Sequence, residues 1–197
     1  VIVLGFELLN KRILGHFGAF VFIDFGLQFT TNHDESAWDA TPVTLFGGLQ
    51  GALAASSLVL VGGGPHLLYG SQEVGLAQNL PFFSRVPIPW NQNQAMQTAY
   101  RRLMAWYQDH PSVRYGSTLS YPHPDLVCVQ KQEGTDSTLA IINVRNRAVT
   151  YNVPAALRLT PWTCALAGPM NRPPSGASEI LPASITLQPY EGRFFER

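Results

Sequence analysis

Apolar runs and helix-period stretches alternate up to about residue 116, and only short β-rich runs follow. Residues 1–5 are apolar throughout, the pattern of a parallel strand covered on both faces, and Glu7 stands just past them. Residues 8–17 fit a short helix stopped by Gly18, and residues 19–25 are β-rich with Asp24 near their end. That run leads to a polar cluster, Asn32-His33-Asp34-Glu35, and a loop carrying Ser36, Trp38, Asp39 and Pro42 is expected to leave it. Asp39 and Thr41 are candidate caps, with Pro42 in a first helical turn. Residues 43–60, rich in Gly, Ala and Ser, predict one helix able to pack closely on a sheet, stopped by Gly62-Gly63-Gly64. Residues 66–69 predict the next strand, parallel to 29–31, with Gln72 and Glu73 at its end. Residues 80–90 form a proline-broken aromatic loop. Over residues 93–109, Met96, Tyr100, Leu103, Met104 and Tyr107 share one face of a helix, with Gln94, Gln97, Arg101 and Gln108 largely elsewhere. Asn91 or Asn93 can cap this helix and Pro111 stop it; its aromatic stripe reads as core.

Beyond Gly116, β-rich runs at 126–131, 137–144, 148–153, 163–167 and 185–187 are separated by turn residues such as Gly134, Asn146, Pro154, Gly168 and Pro182. This is the signature of an antiparallel sheet or sandwich. The expected organisation is therefore two units, 1–116 as α/β and 117–197 as all-β.

Lys plus Arg and Asp plus Glu number 13 each, so there is no basic stripe for nucleic acid. Cys128 and Cys164 are the only cysteines, in no Cys-x-x-Cys pair, so a metal site is not indicated; one disulfide or two buried thiols both remain open. The glycine triplet is followed by neither Lys-Ser/Thr nor a helix start, which speaks against phosphate binding. Residues 1–9 lack a preceding basic region, a poor match to a signal peptide. Residues 13–29 carry His16 and Asp24 and are marginal for a membrane span of about 20 residues.

At Asn32–Glu35 an imidazole and a carboxylate stand side by side just past a strand, where a barrel strand delivers chemistry to its C-terminal end. The same four residues also fit a polar loop with a helix cap. The Asn32-His33-Asp34 run resembles the strand-seven motif of the α-amylase superfamily, glycoside hydrolase family thirteen. Gly64-Pro65-His66-Leu67-Leu68-Tyr69-Gly70-Ser71-Gln72-Glu73 is similar to the family's Gly-x-Pro … Tyr-x-Gly-x-Glu at strand eight. Pro81-Phe82-Phe83 with Ile88 and Trp90 looks most like Bacteroidetes-type members. The stretch from Tyr100-Arg101-Arg102 to Arg114-Tyr115-Gly116 is similar to the last barrel helix and its exit. The resemblance is specific over about 29–116 and architectural after that.

It implies the last strands and helices of a (β/α)8 barrel followed by a C-terminal antiparallel β-sandwich. A whole barrel takes about 250 residues, more than this chain's 197 can supply alongside the C-terminal strands. It also implies a retaining hydrolase of α-glucans such as starch and maltooligosaccharides, with Asp34 as transition-state stabiliser and His33, Asn32 and Trp38 contacting substrate. Glu73 and Tyr69 would support the site. Phe82, Phe83 and Trp90 would either line a sugar site or plug the barrel. Glu7 is a general-acid candidate by its apolar setting, although its spacing to Asp34 is short for the family. The family's Gly-x-Arg-x-Asp nucleophile motif does not occur. No cofactor is evident; calcium is possible in full-length members. The implied setting is extracellular or periplasmic, and unpaired barrel edges imply possible self-association. Three readings stay open: the C-terminal part of a hydrolase, a non-catalytic glucan-binding or structural relative, and an unrelated α/β hydrolase or transferase.

Overall fold

The computed structural model describes residues 27–168, 170–171 and 178–197. The strand at 1–5, the helix at 8–17, the run at 19–25, and with them Glu7 and Asp24, lie outside the described residues.

Gln28–Phe29 (β1) and His66–Leu67 (β2) pair in parallel, Gln28 opposite His66 and Phe29 opposite Leu67. Parallel neighbours require a crossover, here made by His33–Trp38 (α1), Pro42–Leu45 (α2) and Leu49–Val61 (α3). The adjacency expected from sequence holds, with strands of two residues instead of three or four.

Two local expectations are corrected. The loop after Asn32 is the helix α1, because the Asn32 side-chain carbonyl accepts from the Asp34 and Glu35 N–H groups at 2.8 and 3.0 Å. The single helix at 43–60 is broken in two. Gly47 and Gly48 take φ of +74° and +114°, which side-chain-bearing residues rarely adopt, and α3 restarts at Leu49. Close packing does follow from small residues: a Cβ at Gly51 would sit 1.8 Å from the Phe46 carbonyl oxygen. From Gly51 to Val61 the helix is buried on all sides.

Gln94–Asp109 (α4) is capped by the Asn93 side chain, which accepts from Met96 N–H at 3.2 Å. Its buried face is Met96, Ala99, Tyr100, Leu103 and Trp106, while Met104 and Tyr107 are only partly covered. The face is thus rotated towards Ala99 and Trp106 relative to the expected stripe. Pro111 starts a new short helix, Pro111–Tyr115 (α5).

Seven strands follow: Ser117–Ser120 (β3), Leu126–Glu133 (β4), Asp136–Asn143 (β5), Val149–Asn152 (β6), Thr163–Gly168 (β7), Ser184–Leu187 (β8) and Gly192–Glu196 (β9). The order β3-β4-β5-β9-β7 makes one antiparallel sheet, and β6 pairs with β8 apart from it. β3 and β9 are additions to the expected strands. Beyond Ser117 the described residues hold no helix longer than the 3-10 turn Ala155–Arg158.

Residues 137–143 of β5 are buried without interruption. Ala140 and Ile142 face a core built with α3 and α4, joined by Val127, Val129 and Phe194. Leu139 and Ile141 face the opposite core with Tyr151, Ile185, Leu187 and Trp162. The helices and the sheet therefore share one core, and the β6–β8 pair covers the sheet's other side. Cys128 on β4 and Cys164 on β7 are free thiols. Two strands lie between theirs, a separation of about 14 Å at three interstrand spacings, well beyond disulfide reach. Burial pushes their thiols up to about 12 and about 11, so both stay protonated and inert at neutral pH.

Two polar clusters fix the joints. Where β1 and β2 end, the Gln72 amide donates towards Thr30 Oγ1 (2.6 Å), Ser56 Oγ (2.7 Å) and Tyr100 OH (3.1 Å), and Ser56 bonds Tyr100 at 2.7 Å. Burial pushes the Tyr100 phenol up to about 12, so it stays neutral. At the junction of α4 and α5, the His110 ring reaches Asp136 Oδ1 at 2.8 Å and Glu196 Oε2 at 2.9 Å. Ser112 N–H donates to Asp136 Oδ2 at 2.8 Å. Burial alone would raise the Asp136 carboxyl, but hydrogen bonds from His110 and Ser112 outweigh it and hold the group below the ordinary aspartate range.

Two outcomes follow. In urea titrations, Tyr100→Phe should cost about 1 kcal/mol and Gln72→Met about 2–3, since the latter removes the donor that three buried hydroxyls share and leaves Thr30 without it; equal costs would show that Gln72 does not centre the cluster. Asp136→Asn should lower stability at pH 7 by about 1.5–3 kcal/mol. A depressed folded-state value stabilises above the unfolded one, and that contribution disappears as pH falls through the folded value. The gap between the variant and the unaltered chain should therefore close below the ordinary value of 3.8. A gap independent of pH between 7 and 3 would exclude this role.

Candidate functional site

Because β1 and β2 run parallel, the chain leaving each one emerges at the same end, and the Gln72–Thr30 bond ties the two exits together. His33 and Asp34 follow one exit and Glu73 the other. The sequence expectation places all three at one rim; the structure shows the parallel strand pair and the tie between its exits.

At that rim His33 and Asp34 open α1. Their side chains are 65% and 63% exposed, with His33 Nε2 and Asp34 Oδ2 3.6 Å apart. That distance is beyond a hydrogen bond, so both groups are available to an incoming ligand, one as carboxylate acceptor and the other as ring donor or acceptor. Asn32 is held differently. Its side-chain carbonyl is engaged by the helix it caps, which leaves only its amide N–H groups to offer. Beneath, Thr31 Oγ1 bonds Ser36 Oγ at 2.8 Å and fixes α1 to the strand end. Trp38 projects from the end of α1, 73% exposed. Phe82 packs against both Trp38 and His33, with ring centroids 5.5 and 5.9 Å away.

Glu73 and Tyr69 sit on the other exit. Tyr69 accepts Gln72 N–H through its carbonyl at 3.1 Å. Glu73 is half-buried, and its Oε2 has no hydrogen-bond partner among the described residues. It lines an open cavity of about 480 Å³ with Leu68, Trp90, Asn91 and Arg101. On β2, burial lowers the His66 imidazole, which meets the Tyr107 ring edge-on at 4.6 Å, so this histidine belongs to the packing.

Two residues that the sequence places at the site, Gln72 at the strand end and Glu35 in the polar cluster, have roles that it does not show. Gln72 is a neutral side chain in a turn, and only the convergence of Thr30, Ser56 and Tyr100 reveals it. Glu35 lies inside the polar cluster but differs from Asp34 in environment. Burial, then the neighbouring Asp39 and Asp34 charges, raise its carboxyl above the ordinary range. Among the described residues no group of three or more His, Cys, Asp or Glu is arranged to hold a metal ion. None of the described helices is long and apolar enough to cross a membrane.

No family model and no curated protein matches the chain. Solved structures do. A debranching enzyme from Nostoc punctiforme is 25% identical, with a TM-score of 0.64, over 87% of this chain and 35% of that one. AmyP in complex with maltose is 16% identical, with a TM-score of 0.62, over 77% of this chain and 35% of that one. Cyclic alpha-maltosyl-(1-->6)-maltose hydrolase from Arthrobacter globiformis is 18% identical, with a TM-score of 0.62, over 86% and 34% respectively. The chain thus spans about a third of the length of these neighbours. The motifs at residues 32–34 and 64–73 and the fold converge: the chain resembles, and shares the fold of, part of these α-amylase-family enzymes.

Proposed function

We propose that the chain is the C-terminal part of an α-amylase-type glycoside hydrolase, acting on α-glucans by a retaining mechanism. The observation that carries this reading is the exposed His33–Asp34 pair at the common exit of two parallel strands. Residues 27–116 then correspond to the last strands and helices of a (β/α)8 barrel, and 117–197 to a β-sandwich domain that shares the helices' core. In this role Asp34 accepts hydroxyl hydrogen bonds from a sugar ring and favours its distortion, and His33 bonds a neighbouring hydroxyl. Such contacts strengthen as the oxocarbenium-like transition state forms and supply several kcal/mol. Trp38 borders the same sugar, and Asn32 shapes the site chiefly by capping α1. Glu73 and Tyr69 support the second exit.

Retaining hydrolysis also needs a nucleophile and an acid about 5–5.5 Å apart. Glycosidase-scale acceleration calls for about 8–23 kcal/mol or more, well beyond what hydroxyl contacts provide. The sequence has no Gly-x-Arg-x-Asp, and Glu7 lies outside the described residues. This gap favours a second reading, a non-catalytic chain that binds glucan. Neither β1 nor β2 has a second strand neighbour among the described residues. Open edges of this kind invite a further strand, from a longer polypeptide or from a second copy.

The test is release of reducing sugar from soluble starch. The chain alone and its Asp34→Asn variant should both release none. Fused behind a barrel segment carrying the missing carboxylates, the chain should support turnover, and Asp34→Asn should lower kcat by about 100-fold or more at an unchanged fold. Turnover by the chain alone that disappears in Asp34→Asn would show a complete catalytic set within these residues. A fused enzyme indifferent to Asp34→Asn would remove Asp34 from the reaction.

A further inference from the structure

The open cavity beside Glu73 is separate from the His33–Asp34 pair. It measures about 480 Å³, and none of its lining residues comes from β1, α1, α2 or α3. Leu68 just past β2, Trp90 and Asn91 before α4, and Arg101 and Met104 on α4 line it together with Glu73. Sites for small molecules have this make-up, a concavity of about 300–1,000 Å³ with an apolar wall and a few convergent polar groups. The hydrolytic reading assigns this cavity no ligand.

The charges in it narrow the occupant. Glu73 Oε2 is buried and has no hydrogen-bond partner among the described residues, which is a costly state for an acceptor. It calls for a donor. Arg101 has the opposite need. It is exposed, and its guanidinium donates to Gln97 Oε1 on its own helix at 3.2 Å, a neutral amide that leaves the charge without a counter-ion and most of the five N–H donors free for an acceptor. A metal ion is disfavoured, because among the described residues no group of three His, Cys, Asp or Glu is arranged to hold one. A simple anion would meet the Glu73 carboxylate, and a simple cation the Arg101 guanidinium. A molecule carrying both an ammonium and a carboxylate satisfies the two together. Leu68, Met104 and the half-exposed Trp90 ring supply the apolar wall, and the face of an indole also attracts an ammonium.

We propose that this cavity binds a small zwitterion of the amino-acid class with an apolar side chain. The ammonium donates to Glu73 Oε2, the carboxylate accepts from Arg101, and the side chain covers Leu68, Met104 and the Trp90 ring. Binding involves no bond making or breaking, and it does not depend on glucan hydrolysis at His33 and Asp34.

The experiment is calorimetric titration of the purified chain with L-phenylalanine. Three comparison ligands accompany it: 3-phenylpropionate, which lacks the ammonium, phenethylamine, which lacks the carboxylate, and maltose. The expected result is saturable binding of phenylalanine, none of phenylpropionate, binding of phenethylamine weaker by about tenfold for the lost charge-assisted contact, and no competition by maltose. Glu73→Gln should weaken phenylalanine by about tenfold or more. Arg101→Met should bring phenylalanine down to the level of phenethylamine. Leu159→Ala, which trims an exposed side chain before β7, should change nothing. Melting curves accompany each variant; Arg101 is exposed, so Arg101→Met should melt with the unaltered chain and carries the test even where Glu73→Gln does not fold. Absence of saturable phenylalanine binding overturns the proposal. Phenylpropionate or phenethylamine binding as tightly as phenylalanine overturns it, since one charge would then suffice. Unchanged phenylalanine affinity in a folded Glu73→Gln or Arg101→Met removes that contact and overturns it as well. Displacement of phenylalanine by maltose makes the cavity a sugar site and overturns the amino-acid assignment.

Discussion

The molecule depends on one strand being covered on both sides. In β5 every residue from Ser137 to Asn143 is buried, and alternate side chains enter two separate cores. An antiparallel sheet usually leaves one face to water. Here the helices take one face and the β6–β8 layer the other, so neither layer can leave without exposing Ile142 and Ala140 or Ile141 and Leu139. Trp162, wholly buried, closes the outer core, with its Nε1 donating to the Leu157 carbonyl at 3.0 Å and the Arg197 guanidinium 4.0 Å above its ring. Asn143 ends β5 by donating to the Arg147 and Gln188 carbonyls at 2.7 and 2.8 Å.

That anchoring reaches the rim through α3 and α4. Their apolar faces lie on the sheet, and their polar residues Ser56 and Tyr100 turn towards the strand ends, where Gln72 gathers them with Thr30. The ladder between β1 and β2 is only two residues long. It cannot by itself hold the rim in place. The hydroxyl–amide cluster and the Thr31–Ser36 bond supply what the ladder lacks, and in a buried setting such bonds are costly to break. Asp34 and His33 are thus exposed side chains on a support that is itself fixed from below.

Periodicity made the larger elements legible. The stripe of α4, the five β-rich runs and the parallel pair all leave a pattern set by burial. What escaped the pattern was set by single residues. Gly47 and Gly48 break a stretch whose apolar content is otherwise continuous, and Asn32 turns an expected loop into a helix through two side-chain bonds. β3 is exposed at every residue and so has no alternation to read, and β9 opens with Gly192 and Arg193, which hide the apolar pair Phe194-Phe195. At the site, His33 and Asp34 were legible because their residue types announce chemistry. Gln72 was not, because a neutral amide becomes informative only when three hydroxyls from distant segments converge on it.

The two ends of the 80–93 segment show how the rim is divided. At one end Phe82 leans on His33 and Trp38. At the other, the Trp90 carbonyl accepts from the Gln97 amide on α4, and its ring borders the cavity beside Glu73. The segment spans the exits of both strands while making few backbone bonds of its own, so its position is inherited from α1 and α4. Water therefore has access to Asp34, whose side chain is mostly exposed. Charge stabilisation of a developing oxocarbenium ion is worth most where water is excluded. Further strands closing over the exits of β1 and β2 would remove water from the same two side chains.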